Sequence, residues 1–234
     1  MNAGFRRCLT ELMPPLALRC GRAAVRRLRA LSGLRPAHTY GTPESAAEED
    51  EEYRARRDFF QAHYTESPYY FLWCVVADRL VRQPRSPVLE IGCGAGQFAR
   101  LLHDKRIEDY IGIDFSKEAI GIAQSFCPTY TFLLLGVCET DALLALDYQT
   151  VVALEVVEHL PEDVELLRRI RPGTRVLASV PSFPSISHIR YFSGCGEVAC
   201  RYAALFDDFR ADSLPLPGNT ARFFLFEGIR RQDP

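Results

Sequence analysis

The chain has 234 residues, 47% of them hydrophobic and 25% charged, a balance that excludes whole-chain disorder and suits one enzyme-sized domain with an appendage. That length buries a sizeable core without disulfide or metal staples, and no run approaches the roughly 18 apolar residues of a membrane span. The net charge of −2 hides an asymmetry: eight arginines up to Pro36 stand against the single acid Glu11, so a basic arm precedes an acidic body that repels nucleic acid rather than gathering it.

Residues 1–37 form the arm. A helix over Leu16–Leu34 places Arg19, Arg22, Arg26 and Arg29 on one face, with Ala17, Ala24, Leu28 and Leu31 roughly opposite. Such a pattern reads as an interfacial helix drawn to anionic lipid, as a targeting segment of mitochondrial type, or as a solvated extension. The eight cysteines include no Cys-x-x-Cys pair, and the short stretch Leu12–Leu18 is broken by Pro14-Pro15, unlike a secretory signal. Reduced thiols of a soluble cytoplasmic protein, membrane-associated if the arm binds lipid, are expected.

Residues 38–83 read as a linker followed by aromatic-rich helices. The acidic run Glu48–Glu52 begins a solvated helix, and Ser67-Pro68 signals the start of another over Tyr69–Val81. Tyr69, Tyr70 and Trp73 are read there as helix core rather than as a lid.

From residue 84 to residue 234 the pattern alternates. Strands are predicted at Val88–Ile91, Tyr110–Ile113, Thr131–Leu135, Val151–Leu154 and Arg175–Val180, with helices at Gln97–His103, Lys117–Ser125 and Glu162–Ile170. Phe223–Phe226 is a strand with no helix after it, closing an antiparallel hairpin. The expected fold is α/β: a Rossmann-like, doubly wound, mostly parallel sheet with an antiparallel C-terminal edge strand, in three α/β/α layers.

The strongest chemical signal is Val88-Leu89-Glu90-Ile91-Gly92-Cys93-Gly94-Ala95-Gly96, a buried strand running into a glycine loop that opens a helix. Glycines let the backbone approach a ligand closely, and the helix start offers free N–H groups. A dinucleotide fingerprint wants glycine where Gln97 stands. Glu90 is unwelcome beside a pyrophosphate but suits a ligand carrying an amino group or a sulfonium. Asp114 ends the next strand, about 20 residues beyond Gly94, where an acid accepts hydrogen bonds from two ribose hydroxyls, and Phe115 beside it is placed to pack on an adenine.

Residues 84–181 resemble class I S-adenosylmethionine-dependent methyltransferases, especially the group that includes the ubiquinone-biosynthesis O-methyltransferases. The resemblance rests on residues 90–96, on Gly112-Ile113-Asp114-Phe115-Ser116 and on Leu154-Glu155-Val156-Val157-Glu158-His159-Leu160. It implies S-adenosylmethionine as cofactor, with Glu90, Gly92, Cys93, Gly94 and Gly96 at its methionine part, Asp114 at its ribose and Leu154 lining the pocket. Many relatives place an acid near the adenine amine where Val137 stands, which leaves that contact to backbone or to Cys138.

Glu155-x-x-Glu158-His159, followed by His188 after the fifth strand, offers two carboxylates and two imidazoles at neighbouring strand ends. The set resembles the metal-binding residues of RNA 3′-terminal 2′-O-methyltransferases and in part those of the ubiquinone-pathway enzymes. One reading is a divalent metal, Mg or Mn, held by Glu155, Glu158, His159 and His188 to activate a hydroxyl. The other is that Glu158-His159 caps the following helix; without metal, His188 or His159 serves as the general base. Arg190 either pairs with an anionic acceptor or lies on the surface. The expected function is O-methylation of a small-molecule, sugar or lipid-linked acceptor. A metal-dependent RNA 2′-O-methyltransferase and a non-catalytic cofactor-binding module are the alternatives.

Overall fold

Ser45 Oγ accepts the Glu48 N–H at 3.4 Å while the Glu48 carboxylate accepts the Ser45 N–H at 2.9 Å, and this capping box starts α1 (Ala46–Ala55). The computed structural model describes residues 45–137, 142–185, 187–216, 218 and 220–232. The basic arm and Cys138 lie outside them. No helix among the described residues is long and apolar enough to cross a membrane.

After α1 come α2 (Arg57–Gln61), a 3₁₀ turn at Tyr64–Glu66 and α3 (Tyr70–Arg82). The chain then alternates through β1 (Val88–Ile91), α4 (Gln97–Asp104), β2 (Tyr110–Asp114), α5 (Lys117–Phe126), β3 (Thr131–Leu134), α6 (Ala142–Ala145) and β4 (Thr150–Leu154). A 3₁₀ turn at Val157–His159 leads to α7 (Asp163–Arg169), β5 (Arg175–Pro181), α8 (Cys195–Tyr202), β6 (Phe206–Pro215) and β7 (Arg222–Arg230).

The seven strands form one sheet in the order β3-β2-β1-β4-β5-β7-β6. β1 to β5 pair in parallel, whereas β7 runs antiparallel to both β5 and β6. The predicted antiparallel hairpin therefore closes one side of the sheet, with β6 at its rim. β6 escapes sequence reading because its residues, Phe-Asp-Asp-Phe-Arg-Ala-Asp-Ser-Leu-Pro, are mostly solvent-facing and a register shift interrupts them between Asp207 and Arg210. A polar, irregular rim is what keeps an edge strand from pairing with other chains.

Alternation along the strands fills two layers. Val88, Leu177, Phe223 and Leu225 face α3 and α4, where Leu72, Val76, Phe98 and Leu102 complete one core. Leu89, Val176, Phe224 and Phe226 face the other side, with Leu166 and Leu167 of α7 and Tyr202 of α8. The expected three-layer arrangement follows.

Strand order reverses at β1, with β2 on one side and β4 on the other. In open α/β sheets a crevice forms at such a switch, outside the C-terminal strand ends. At the opposite end of the sheet, Arg175 donates to Glu227 Oε1 at 2.9 and 2.7 Å and to the Gln83 carbonyl at 2.7 Å, tying β5, β7 and the end of α3 together.

Candidate active site

The loop after β1 passes through the left-handed region at Gly92, Gly94 and Gly96, with φ of 71°, 52° and 77°. At Gly94 the requirement is also spatial: a Cβ there would lie 2.9 Å from the Tyr53 hydroxyl. The Gly94 N–H donates to Asp114 Oδ2 and the Ser116 N–H to Asp114 Oδ1, both at 2.9 Å. Asp114 thus ties the glycine loop to the start of α5. Burial raises its carboxyl pKa, and the backbone donors of Ser116, Gly94 and Phe115 oppose that shift. Phe115, 41% exposed, stands at the rim beside it.

Ser116 Oγ caps α5 by accepting the Ala119 N–H at 3.1 Å, and donates to Asp50 Oδ1 at 2.7 Å. Asp50 also accepts the Glu118 N–H at 3.1 Å, so α1 is docked on the sheet domain just above the loop. Beneath the loop, Glu90 is buried and accepts from the Tyr110 hydroxyl. Burial pushes its pKa up to about 8; the Tyr110 bond opposes this and the charge of Asp114 adds to it.

A cavity of about 140 Å³ opens at the switch point. Its floor comprises Glu90, Gly92, Cys93, Gly94, Leu154 and Glu155, all candidates from the sequence. Its roof is Tyr53, Phe59, Phe60, Tyr69 and Trp73, which sequence reasoning missed. Tyr69 and Trp73 pack against the core as expected and also wall the cavity, stacked on each other with ring centroids 5.9 Å apart. The density of aromatics between residues 53 and 73 was the available signal. A cavity wall and a core share one hydrophobic pattern, so only tertiary placement separates them. Among the described residues, no lysine or arginine lines the cavity.

Next to the floor lies the carboxylate–imidazole cluster. Glu155 has a positive φ of 57°, and the Ser179 hydroxyl accepts its N–H at 3.0 Å and donates to its Oε1 at 2.8 Å. Burial pushes the Glu155 pKa up to about 8. Glu158 is fully buried, and neither carboxylate oxygen has a hydrogen-bond partner of sound geometry. Burial, then the charge of Glu155, hold its carboxyl well above the usual range.

His159 Nδ1 lies 3.1 Å from the Ser187 carbonyl, and His188 Nδ1 lies 3.1 Å from the Phe183 carbonyl. A carbonyl only accepts, so each Nδ1 carries the proton and each Nε2 keeps its lone pair. Burial brings the His159 pKa down to about 4, and burial with the neighbouring His159 takes His188 well below its ordinary value. Both rings are therefore neutral at working pH, the form that a metal ligand and a general base alike require.

One ligand atom each from Glu158, His159 and His188 lie within 4.8 Å of one another. Glu155 stands outside that group, held by Ser179 at the cavity floor. An orphaned buried carboxylate and two imidazoles oriented through Nδ1 fit a divalent cation with mixed O/N ligands. The alternative of a helix cap is not what forms: Glu162 precedes α7 and no side chain caps it. Arg190 is neither on the surface nor free for an acceptor. Its Nη1 donates to the Val157 and Leu160 carbonyls at 2.8 and 2.6 Å and pairs with Asp163 at 3.1 Å.

Residues 69–211 match the profile of a protein family described as a methyltransferase domain. No curated protein matches the chain in sequence. Among solved structures, a chain of the complex between the Haloferax volcanii Trm112 methyltransferase activator and a methyltransferase superposes with a TM-score of 0.60 at 16% identity, covering 81% of this chain and 99% of that one. Haemonchus contortus phosphoethanolamine N-methyltransferase 2, in complex with phosphomonomethylethanolamine and S-adenosylhomocysteine, gives 0.60 at 13% identity over 81% of this chain and 61% of that one. The YcgJ protein of Bacillus subtilis gives 0.53 at 16% identity over 69% and 98%. At these identities the likeness is one of fold.

Proposed function

The chain belongs to the class I S-adenosylmethionine-dependent methyltransferases, and from that premise we propose that it methylates a hydroxyl oxygen of an uncharged small-molecule, sugar or lipid-linked acceptor. The observation that carries this reading is the cluster of Glu158, His159 and His188 beside the cavity floor. An amine acceptor needs no such group at neutral pH beyond a proton sink, whereas a hydroxyl must be made more acidic to attack.

When bound, S-adenosylmethionine supplies an electrophilic methyl on a sulfonium, so the chain mainly aligns donor and acceptor. Glu90 would hold the donor's amino group and Asp114 its ribose, the glycine loop would lie along its methionine part, and Phe115 would pack on the adenine. The partly open cavity, about 140 Å³, is smaller than the ~300 Å³ at the low end of small-molecule pockets, so the adenosine half would extend beyond it, over Asp114 and Phe115. Tyr69 and Trp73 cover the reacting centre and exclude water.

A divalent cation on Glu158, His159 and His188, Mg or Mn, would lower the pKa of an acceptor hydroxyl bound there. The acceptor oxygen attacks the methyl carbon, the carbon–sulfur bond breaks with its electron pair going to sulfur, and the hydroxyl proton leaves to the cluster or to water. A cavity walled by aromatics, with the carboxyls of Glu90 and Glu155 at its floor and no cationic side chain among the described residues that line it, favours an uncharged acceptor over RNA. Where the basic arm meets anionic lipid, it would bring the enzyme to a lipid-linked acceptor.

The test is transfer of radiolabelled methyl from S-adenosylmethionine into a fractionated cell extract, with Asp114→Ala as the blank. Label in small-molecule, glycan or lipid fractions, lost in chelator and restored by Mg²⁺ or Mn²⁺, is expected. Label confined to RNA or to amine products overturns the acceptor assignment.

A further inference from the structure

The cation-binding cluster is assembled from two separate pieces of chain. Glu158 and His159 sit on the 3₁₀ turn after β4, and His188 sits on the loop after β5. A turn of three residues leaves most of its carbonyls without helical partners, and here the Val157 carbonyl meets one, the Leu160 N–H at 3.3 Å. The loop after β5 supplies the other donors. Ile189 N–H meets the Glu158 carbonyl at 2.9 Å, and the Arg190 guanidinium reaches the carbonyls of Val157, Leu160 and Pro161 at 2.8, 2.6 and 3.2 Å.

Arg190 is itself fixed from behind. Its Nη1 lies 3.1 Å from Asp163, whose carboxylate also accepts from Arg201 at 2.6 and 2.7 Å and from the Tyr202 hydroxyl at 2.6 Å. With Asp163 buried and held by two residues of α8, the guanidinium is immobilised against the turn from the α7–α8 side. A planar fork of five N–H donors serves several carbonyls and a carboxylate at once, which an ammonium on a flexible stem does not.

We infer that Arg190 is a positioning residue for the cation site: it locks the Glu158–His159 turn to the His188 loop, so that the three ligands stand within reach of one ion. The inference rests on the cation reading above and deepens it. Arg190 touches neither the ion nor the acceptor; it acts through the turn.

The experiment is titration of the tag-free, metal-free protein with Co²⁺, followed by visible absorption and calorimetry. Wild type, Arg190→Met and Arg190→Lys are compared, with S-adenosylmethionine affinity measured in parallel. The donor site is built on β1 and β2, so its affinity reports the fold independently. Wild type should bind Co²⁺ with a visible d–d band. Arg190→Met should bind about 10–100-fold more weakly, in the range for loss of groups that orient metal ligands, with donor affinity within two-fold of wild type. Arg190→Lys should fall between the two. If wild type binds no Co²⁺, the cation reading itself fails. If wild type binds and Arg190→Met binds equally well, even with a lowered melting temperature, Arg190 is only a structural strut and the inference is overturned. Should Arg190→Met not fold, wild-type Co²⁺ affinity in Arg190→Lys overturns it in the same way.

Discussion

The Tyr110 hydroxyl on β2 donates to the Glu90 carboxylate on β1, sealing a buried acid under the glycine loop. Gly112 stands opposite Glu90 in the strand register, and a Cβ there would lie 2.9 Å from that hydroxyl, so the pair depends on a bare backbone at Gly112.

This pair predicts a pH dependence. Burial raises the Glu90 pKa to about 8, above its unfolded value, so its contribution to stability is full at low pH and is lost as pH climbs from the ordinary carboxylate range toward 8. The ligand-free protein should melt several degrees lower at pH 8 than at pH 5, and Glu90→Gln should flatten that slope while raising the melting temperature at pH 8. The same variant should weaken S-adenosylmethionine binding by about tenfold or more, since an amide offers no charge to the donor's ammonium. Differential scanning at both pH values with calorimetric titration checks it, and parallel slopes for the two proteins would remove Glu90 as the titrating group.

Gly94→Ala combines two penalties. An alanine in the left-handed region costs about 1–2 kcal/mol, and its methyl meets the Tyr53 hydroxyl at 2.9 Å. The variant should lose that stability and much of its donor affinity. Adding Tyr53→Phe should recover the contact penalty and leave the backbone one. A urea double-mutant cycle measures the coupling, and strict additivity would mean that Tyr53 does not press on the loop.

Glu158→Gln replaces a fully buried carboxylate whose oxygens find no hydrogen-bond partner of sound geometry among the described residues. In metal-free protein the melting temperature should hold or rise, because a desolvated acid is replaced by a neutral isostere. With Mn²⁺ the order reverses: wild type gains melting temperature through the bound ion and the variant does not. A variant that still responds to Mn²⁺ as wild type does would place the ion elsewhere.

At the far end of the sheet, burial pushes the Glu227 carboxyl up, but its bonds to Arg210 and Arg175 hold it below the usual carboxylate range. That stabilisation is present at neutral pH and is lost as pH falls through the folded value. Arg175→Met leaves a buried acid short of its main partner and should cost about 3–5 kcal/mol, without altering donor affinity in the folded fraction. Urea denaturation at pH 7 gives the number; a loss under 1 kcal/mol would show that Arg210 and Arg79, whose Nη1 donates to Glu227 Oε2 at 3.2 Å, suffice.

Strands β1, β2, β4 and β5 were readable because parallel strands covered on both faces are continuous apolar runs. The glycine loop and Asp114 were readable because backbone geometry demands those residue types at those places. Three things were not. β6 was hidden because its composition is that of a solvent-facing rim. The roof from Tyr53 to Trp73 was hidden because its hydrophobic pattern is the same whether it covers a core or a cavity. Arg190 reads from sequence either as a partner for an anionic acceptor or as a surface residue, since nothing in its neighbourhood along the chain announces carbonyls contributed by a turn some thirty residues earlier. Local pattern specified the elements; which side chains meet across them is a property of the folded sheet.

β7 delivers Phe223 and Leu225 to one layer and Phe224 and Phe226 to the other, between two strands made before it. During synthesis, β5 leaves the ribosome with an unpaired edge and two half-filled cores, and waits for about forty further residues before its neighbour arrives. At ~5–20 residues per second that interval is roughly 2–8 s. A pause in translation within that window lengthens the exposure of an apolar edge, so the yield of folded protein should be governed more by elongation speed over this stretch, and by chaperones acting there, than by the stability of the finished sheet.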